Sequence, residues 1–154
     1  MATADTASNA GSTGKVRVSV VTPERAVLDE TADFVVLPMV DGELGVLPKR
    51  APLIGRLGPG ELRITEGERN DSYFVEGGFA QVRDDTLIVL TANARPSSDI
   101  TAEAAKQALH DAEGIEATTP AQQASRRRSI DVANAMVRLA ETRRSNPGQG
   151  GQTT

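Results

Sequence analysis

Residues 41–64, DGELGVLPKRAPLIGRLGPGELRI, decide the fold prediction because apolar runs of strand length alternate there with turn residues. The stretch contains five glycines and three prolines. Gly58-Pro59-Gly60 predicts a turn between two of its strands. Many short strands at this spacing, with no helix between them, favour an antiparallel sandwich or barrel over alternating strand and helix units.

The same strand pattern extends on both sides of this stretch, from residue 15 to about residue 95. VRVSVV at 16–21 alternates polar and apolar residues, and the last apolar run of strand type ends at Thr91. Further turns are predicted at Asp41-Gly42, Glu66-Gly67-Glu68, Gly77-Gly78 and Asp84-Asp85. All aromatic residues lie in this half and are assigned to its core: Phe34, Tyr73, Phe74 and Phe79.

From residue 96 to residue 144 the composition becomes helical and predicts a two-helix hairpin. The first helix lies in TAEAAKQALHDAEG, where Gly114 is predicted to end it in the left-handed conformation. The second begins at a capping box, with Thr119 as N-cap, Pro120 next and Gln122 at the third helical position. The predicted fold class is therefore α+β, an N-terminal antiparallel β-sandwich followed by a C-terminal helical hairpin. We expect residues 1–14 to form a disordered arm and residues 145–154 a disordered tail.

The apolar residues of the two helices predict weak packing between them. The first helix offers mainly alanines, and the second has an apolar stripe only near its end, at Val132, Met136, Leu139 and Ala140. Alanine faces bury little apolar area, so we expect the hairpin to be the less stable half and able to detach.

Charge and composition limit the classes of partner. The net charge of −4 gives the whole chain no electrostatic reason to bind nucleic acid or an anionic membrane, and the chain has no cysteine. Its longest apolar run is too short to span a bilayer, so any membrane connection is expected to be indirect, through a partner. Within residues 120–144, however, six arginines stand against Asp131 and Glu141, for a local charge of +4: Arg126, Arg127, Arg128, Arg138, Arg143 and Arg144. This helix is either a solvated face or a cationic arm that binds an acidic protein surface.

A search for catalytic residues is negative and predicts that the chain is not an enzyme. His110 is the only histidine and has no second imidazole or thiol with which to bind a metal. The glycines lack the spacing of a phosphate-binding loop, and we expect no cofactor. A stand-alone β-sandwich interaction module with a helical appendage stays open as an alternative, although the chain has no tryptophan and one tyrosine with which to form an aromatic binding face.

Several motifs, in order along residues 15–144, resemble the epsilon subunit of bacterial F-type ATP synthase, the subunit equivalent to mitochondrial delta. The most specific are VVTP at 20–23, GELGVLP at 42–48, APL at 51–53, GELRI at 60–64 and GGF at 77–79. The resemblance implies a non-catalytic subunit of the rotary central stalk, peripheral to the cytoplasmic face of the bacterial inner membrane. It implies contacts with the gamma subunit and the c ring, coupling of hydrogen ion transport to ATP synthesis, and C-terminal helices that restrain ATP hydrolysis at the α/β catalytic subunits.

The resemblance also implies roles for individual residues. Glu43 matches a position that meets the c ring, and Arg50 follows Lys49 where many relatives have Gly-His, so both are expected to contact the c ring or gamma. The six arginines of the second helix are expected to form the inhibitory arm. The ATP-binding motif of some relatives is altered here at Thr101 and Ala104, which predicts that the chain does not sense ATP.

Overall fold

The computed structural model describes residues 14–145, in which a β-sandwich precedes two helices. The prediction of a sandwich followed by a helical pair is confirmed. The expected disordered arm and tail, residues 1–14 and 145–154, lie outside the described residues except at Gly14 and Ser145. The elements are β1 Val16–Val21, β2 Ala26–Ala32, β3 Phe34–Met39, β4 Gly42–Val46, β5 Leu53–Glu66, β6 Arg69–Arg83, β7 Thr86–Leu90, β8 Ala94–Pro96, a 3-10 turn Ser97–Asp99, α1 Ala102–Glu113 and α2 Pro120–Ser145.

The strands form one curled sheet in the order β2-β1-β7-β6-β5-β3-β4, with β8 added to β6. Among the described strands, β1 and β7 pair in parallel and the other neighbours pair antiparallel. Two parallel neighbours need a long connection between them, and here strands β2 to β6 form that connection. Inward-facing residues of the strands form a single core whose largest members are Leu37, Leu62, Ile64 and Leu87.

The hairpin of β5 and β6 is much longer than the sequence predicts. Gly58-Pro59-Gly60 and Gly77-Gly78 were expected to be turns, and that prediction is wrong, because both lie within strands that stay paired through them, Leu57 with Gly78 and Pro59 with Glu76. The glycines bend the hairpin without reversing the chain. The first half of β6 pairs with β8 and the second half with β7, so one hairpin serves both layers of the sandwich.

The bend also changes which side chains face the core. Val75 and Ala80 are five residues apart and both belong to the core, although strict alternation puts residues at odd spacing on opposite faces. Gly77 and Gly78 make this change possible with φ values of 97° and 122°. As a result Phe74 and Phe79 both point away from the sandwich core, on the two sides of the bend.

Both helices begin at side-chain caps. The Thr101 hydroxyl accepts a hydrogen bond from the Ala104 amide at 3.1 Å. The predicted capping box of α2 is present: Gln122 N–H donates to Thr119 Oγ1 at 3.2 Å, and Thr119 N–H donates to Gln122 Oε1 at 3.2 Å.

The predicted left-handed glycine at the end of α1 is wrong, since Gly114 has φ −81° and ψ −5°. The helix ends instead by tightening, with the Ile115 amide donating to the Ala112 carbonyl at 3.3 Å.

We expect Gly78→Ala to destabilise the sandwich by at least about 3 kcal/mol, because it combines a backbone conformation that other residues rarely adopt with a steric overlap. A Cβ atom at this position would lie 2.0 Å from the Leu90 carbonyl oxygen. Gly67→Ala is the matched control, since its φ is 59° but nothing lies within 4 Å of its Cβ position, and it should cost about 1 kcal/mol. Urea denaturation followed by circular dichroism measures both. Equal losses would contradict the role assigned to the bend.

Candidate functional site

Glu43 is the second residue of β4 and is accessible to a partner. Its side chain is 65% exposed, and its Oε2 lies 2.6 Å from Arg63 Nη2 on β5. An ion pair between exposed groups contributes only about 0–1 kcal/mol, so this contact does not prevent Glu43 from exchanging Arg63 for a partner's cation. Gly42, which immediately precedes Glu43, is the first residue of β4 and has a positive φ of 135°.

Arg50 lies in the turn that follows β4, so Glu43 and Arg50 are near opposite ends of that strand. Lys49 adopts the left-handed conformation with φ 66°, and its amide donates to Asp85 Oδ1 at 2.6 Å. Lys49 therefore adopts a backbone conformation that glycine favours. Arg50 itself is exposed.

The six arginines of α2 fall into two groups. Two bind backbone carbonyls of this chain: Arg126 Nη2 donates to Glu113 O at 3.0 Å, and Arg143 Nη1 donates to Ser97 O. The first contact satisfies a carbonyl at the end of α1, and the second joins the end of α2 to the segment between sandwich and helices. Arg126 is partly buried, and the other five arginines are exposed: Arg127, Arg128, Arg138, Arg143 and Arg144.

The helices lie against the sandwich along an apolar seam, which consists of Phe74, Ile100, Ala105, Ala135, Met136 and Leu139. The predicted stripe on α2 is the part that packs: Met136, Leu139 and Ala140 are buried and Val132 is partly buried. Phe74, fully buried under the helices, is the largest side chain in it.

Polar groups next to the seam are incompletely paired. Arg95 Nη2 lies 3.9 Å from Met136 Sδ and 3.6 Å from Glu76 Oε1. Arg95 Nε, Ser97 Oγ and Arg126 Nε are buried without a hydrogen-bond partner within the protein. A buried polar atom that lacks a partner weakens the folded arrangement, so these groups reduce the stability that the apolar contacts provide.

Glu61 lies beside the seam on the outer surface of β5, opposite Phe74 in the ladder. Burial raises the pKa of its carboxyl, and the nearby Arg63, Ser72 and Arg143 only partly oppose that shift.

The most exposed apolar surface of the sandwich is on the far side of the bend. Ile54, Phe79, Ile88 and Leu90 are 73%, 53%, 36% and 52% exposed, and we call them the apolar face. Phe79 lies directly opposite Leu90, and Gln81 pairs with both Ile54 and Ile88, so the four side chains are neighbours on one surface.

Sequence reasoning missed this surface because it assigned every aromatic residue to the core of the sandwich. That assignment is wrong for Phe79, which is exposed on this surface, and for Phe74, which is buried under the helices instead. The signal was present in Gly77-Gly78, whose positive φ values change the alternation of side chains just before Phe79.

The described residues show no arrangement typical of catalysis. His110 is exposed on α1, and no cluster of three potential metal ligands occurs within residues 14–145. None of the helices in that range has the length and hydropathy needed to cross a bilayer. Thr101, at the altered nucleotide motif, is engaged as the N-cap of α1.

Comparisons with known proteins agree on one family. Residues 15–97 match the family of the ATP synthase delta/epsilon chain β-sandwich domain. An ATP synthase epsilon chain of Rhodopirellula baltica is 46% identical over 125 residues, which cover 81% of this chain and 98% of that one. One of Dehalococcoides mccartyi is 38% identical over 137 residues, which cover 86% and 97% of the two chains.

Solved structures show the same fold at lower identity. A chain in the mitochondrial ATP synthase of Euglena gracilis, solved with F1 and the c ring, superposes with a TM-score of 0.69 at 23% identity and covers 79% of both chains. A chain in the central stalk and c-ring structure of the Tetrahymena thermophila enzyme gives 0.65 at 16% identity, covering 82% of this chain and 96% of that one.

We expect the stability of the wild-type protein to fall relative to that of Glu61→Gln as pH rises from about 4.5. A carboxyl whose pKa is raised by folding binds its proton more tightly in the folded state than in the unfolded state. The stability that this proton contributes is therefore complete below the ordinary pKa of 4.5 and is lost as pH rises through the folded pKa. Glutamine keeps the neutral form at every pH. Unfolding free energies of both proteins between pH 4 and 7 test this, with the exposed Glu24→Gln as control. A difference that does not change with pH would contradict it.

Proposed function

The chain belongs to the family of ATP synthase epsilon chains, non-catalytic subunits of that complex, and from this premise we propose that it couples the c ring to the catalytic head in the central stalk and restrains ATP hydrolysis. The proposal rests on the similarity to the Rhodopirellula baltica epsilon chain, of which 98% aligns with this chain. The chain then acts on the cytoplasmic face of the bacterial inner membrane and reaches the membrane only through the complex. It needs neither nucleic acid nor a cofactor of its own.

The apolar face is the surface through which the sandwich binds the gamma subunit in this proposal. Four adjacent apolar side chains at 36% exposure or more form a contiguous apolar patch, and such patches mark protein interfaces. Arg56, in the same row as Phe79, is exposed at the edge of the patch and offers a polar contact at the rim.

The c ring is contacted through Glu43 and, at the other end of β4, Arg50. Both are exposed and charged, and they suit polar loops better than an apolar surface. Because they are near opposite ends of one strand, they belong to two separate contacts, and one of the two can serve gamma instead.

The two helices restrain ATP hydrolysis by engaging the α/β catalytic subunits. Support comes from the charge of α2 and from the small area of its attachment. The exposed arginines are available to acidic partner residues, and the seam consists of six buried residues with unpaired polar atoms of Arg95 and Ser97 beside it.

We expect Phe79→Glu to prevent the chain from joining the stalk, because a carboxylate would be desolvated at the centre of the interface with gamma. Co-purification of gamma and c subunits with the tagged chain measures assembly. Ile115→Glu, which replaces an apolar residue 42% exposed in the loop between the helices, is the matched control and should assemble normally. Recovery of gamma with Phe79→Glu at the wild-type level would exclude the apolar face as its binding site.

We expect the double variant Arg127→Gln/Arg128→Gln to assemble normally and to raise ATP hydrolysis by the assembled complex several-fold, since two contacts with acidic residues of about 0.2–1 kcal/mol each are removed from the inhibited state. Arg25→Gln/Arg83→Gln removes the same charge from exposed positions of the sandwich and is the control. Unchanged hydrolysis in the first variant, with normal assembly, would remove these arginines from the inhibitory contact.

A further inference from the structure

Arg143 joins α2 to the segment between the sandwich and α1. Among the described residues, no other side chain makes a hydrogen bond between these two elements. Arg143 Nη1 donates to the carbonyl oxygen of Ser97, a residue only 2% exposed in the turn Ser97–Asp99. A charged donor on a buried carbonyl forms a stronger hydrogen bond than a neutral donor does. The carbonyl already accepts from the Ile100 amide at 3.1 Å, so its second lone pair is used as well.

Position makes this contact decisive for the hairpin. The other contacts along the seam are apolar ones made by Phe74, Ile100 and the alanine, methionine and leucine side chains, together with the long approach of Arg95 to Met136. Ser97 is the first residue of the short segment that connects β8 to α1, and this segment is the only covalent link between the sandwich and the helices. A contact that fixes the end of α2 to this segment restrains both helices at once.

We propose that Arg143 is a latch that holds the helical pair against the sandwich. The latch depends only on the contacts of this chain. Its effect on ATP hydrolysis rests on the proposed inhibitory function.

Arg144 provides the matched comparison. It is the next residue of the same helix, carries the same charge and is exposed, so a change there alters the charge of α2 equally. Methionine is the replacement of choice at both positions because it preserves the unbranched stem and helix propensity while removing the donor and the charge.

The test uses the full chain, which contains no cysteine, with Ala135→Cys as a reporter. Ala135 is 4% exposed in the seam, so a thiol there reacts with iodoacetamide only when the helices separate from the sandwich. We expect Arg143→Met to raise the reaction rate about tenfold, as loss of a charged hydrogen bond predicts, and Arg144→Met to leave it within about twofold. Equal rates in the two variants would overturn the latch.

A second reporter separates local release from unfolding. Ala80→Cys lies in the sandwich core at 2% exposure, and its reaction rate should not change in Arg143→Met. A parallel increase at both reporters would show that the substitution destabilises the whole domain, and this too would overturn the latch.

ATP hydrolysis by the assembled complex then tests the link to inhibition. If the released helices inhibit, Arg143→Met lowers hydrolysis relative to Arg144→Met. Faster labelling of Ala135→Cys without a change in hydrolysis keeps the latch and rejects the inhibitory function, whereas unchanged labelling rejects the latch whatever the hydrolysis rate.

Discussion

The bend in the β5–β6 hairpin is the constraint on which the remaining structure depends. Two strands of 14 and 15 residues stay paired across it, and glycines on both strands let the hairpin pass from one layer of the sandwich to the other. The close approach of Gly78 to the Leu90 carbonyl leaves no room for a side chain there. A hairpin without this bend would serve only one layer, and β7 and β8 could not both pair with β6.

The same bend gives the sandwich two apolar outer surfaces with different roles. Phe74 comes before it and is covered by the helices of the same chain, whereas Phe79 comes after it and stays exposed. A surface covered by a weakly attached element can be uncovered, but one that the chain never covers needs a partner. In the proposed function, the subunit is bound permanently through the apolar face and regulated through the surface that the helices cover.

A structural feature of this chain could be predicted from the sequence where neighbouring residues determine it, and could not where pairing between distant segments determines it. The helical ends were predictable where side chains cap them, since Thr119 and Gln122 satisfy each other's amides within one turn. The conformation at the end of α1 was not predictable, because the Glu113 carbonyl accepts a hydrogen bond from Arg126, which lies on the other helix. Gly58-Pro59-Gly60 and Gly77-Gly78 have the composition of turns, and only their pairing across the ladder keeps them in strands. Glu43 and Arg50 were located as exposed residues, but their separation by β4 and the existence of the apolar face required the fold.

In the proposed function, the division of the arginines on α2 lets the hairpin keep a defined position and still respond to a partner. Attraction between exposed charges is screened within about 8 Å at physiological ionic strength, so Arg127 and Arg128 act on an acidic surface only when it is near. The hydrogen bonds of Arg126 and Arg143 to carbonyls are short and directional, and they do not depend on a partner. Arg126 joins one helix to the other, so the pair moves as a unit, while Arg143 joins that unit to the sandwich. Of these two contacts, only the one made by Arg143 has to break, together with the apolar seam, for the helices to leave the sandwich, and the hairpin itself stays intact.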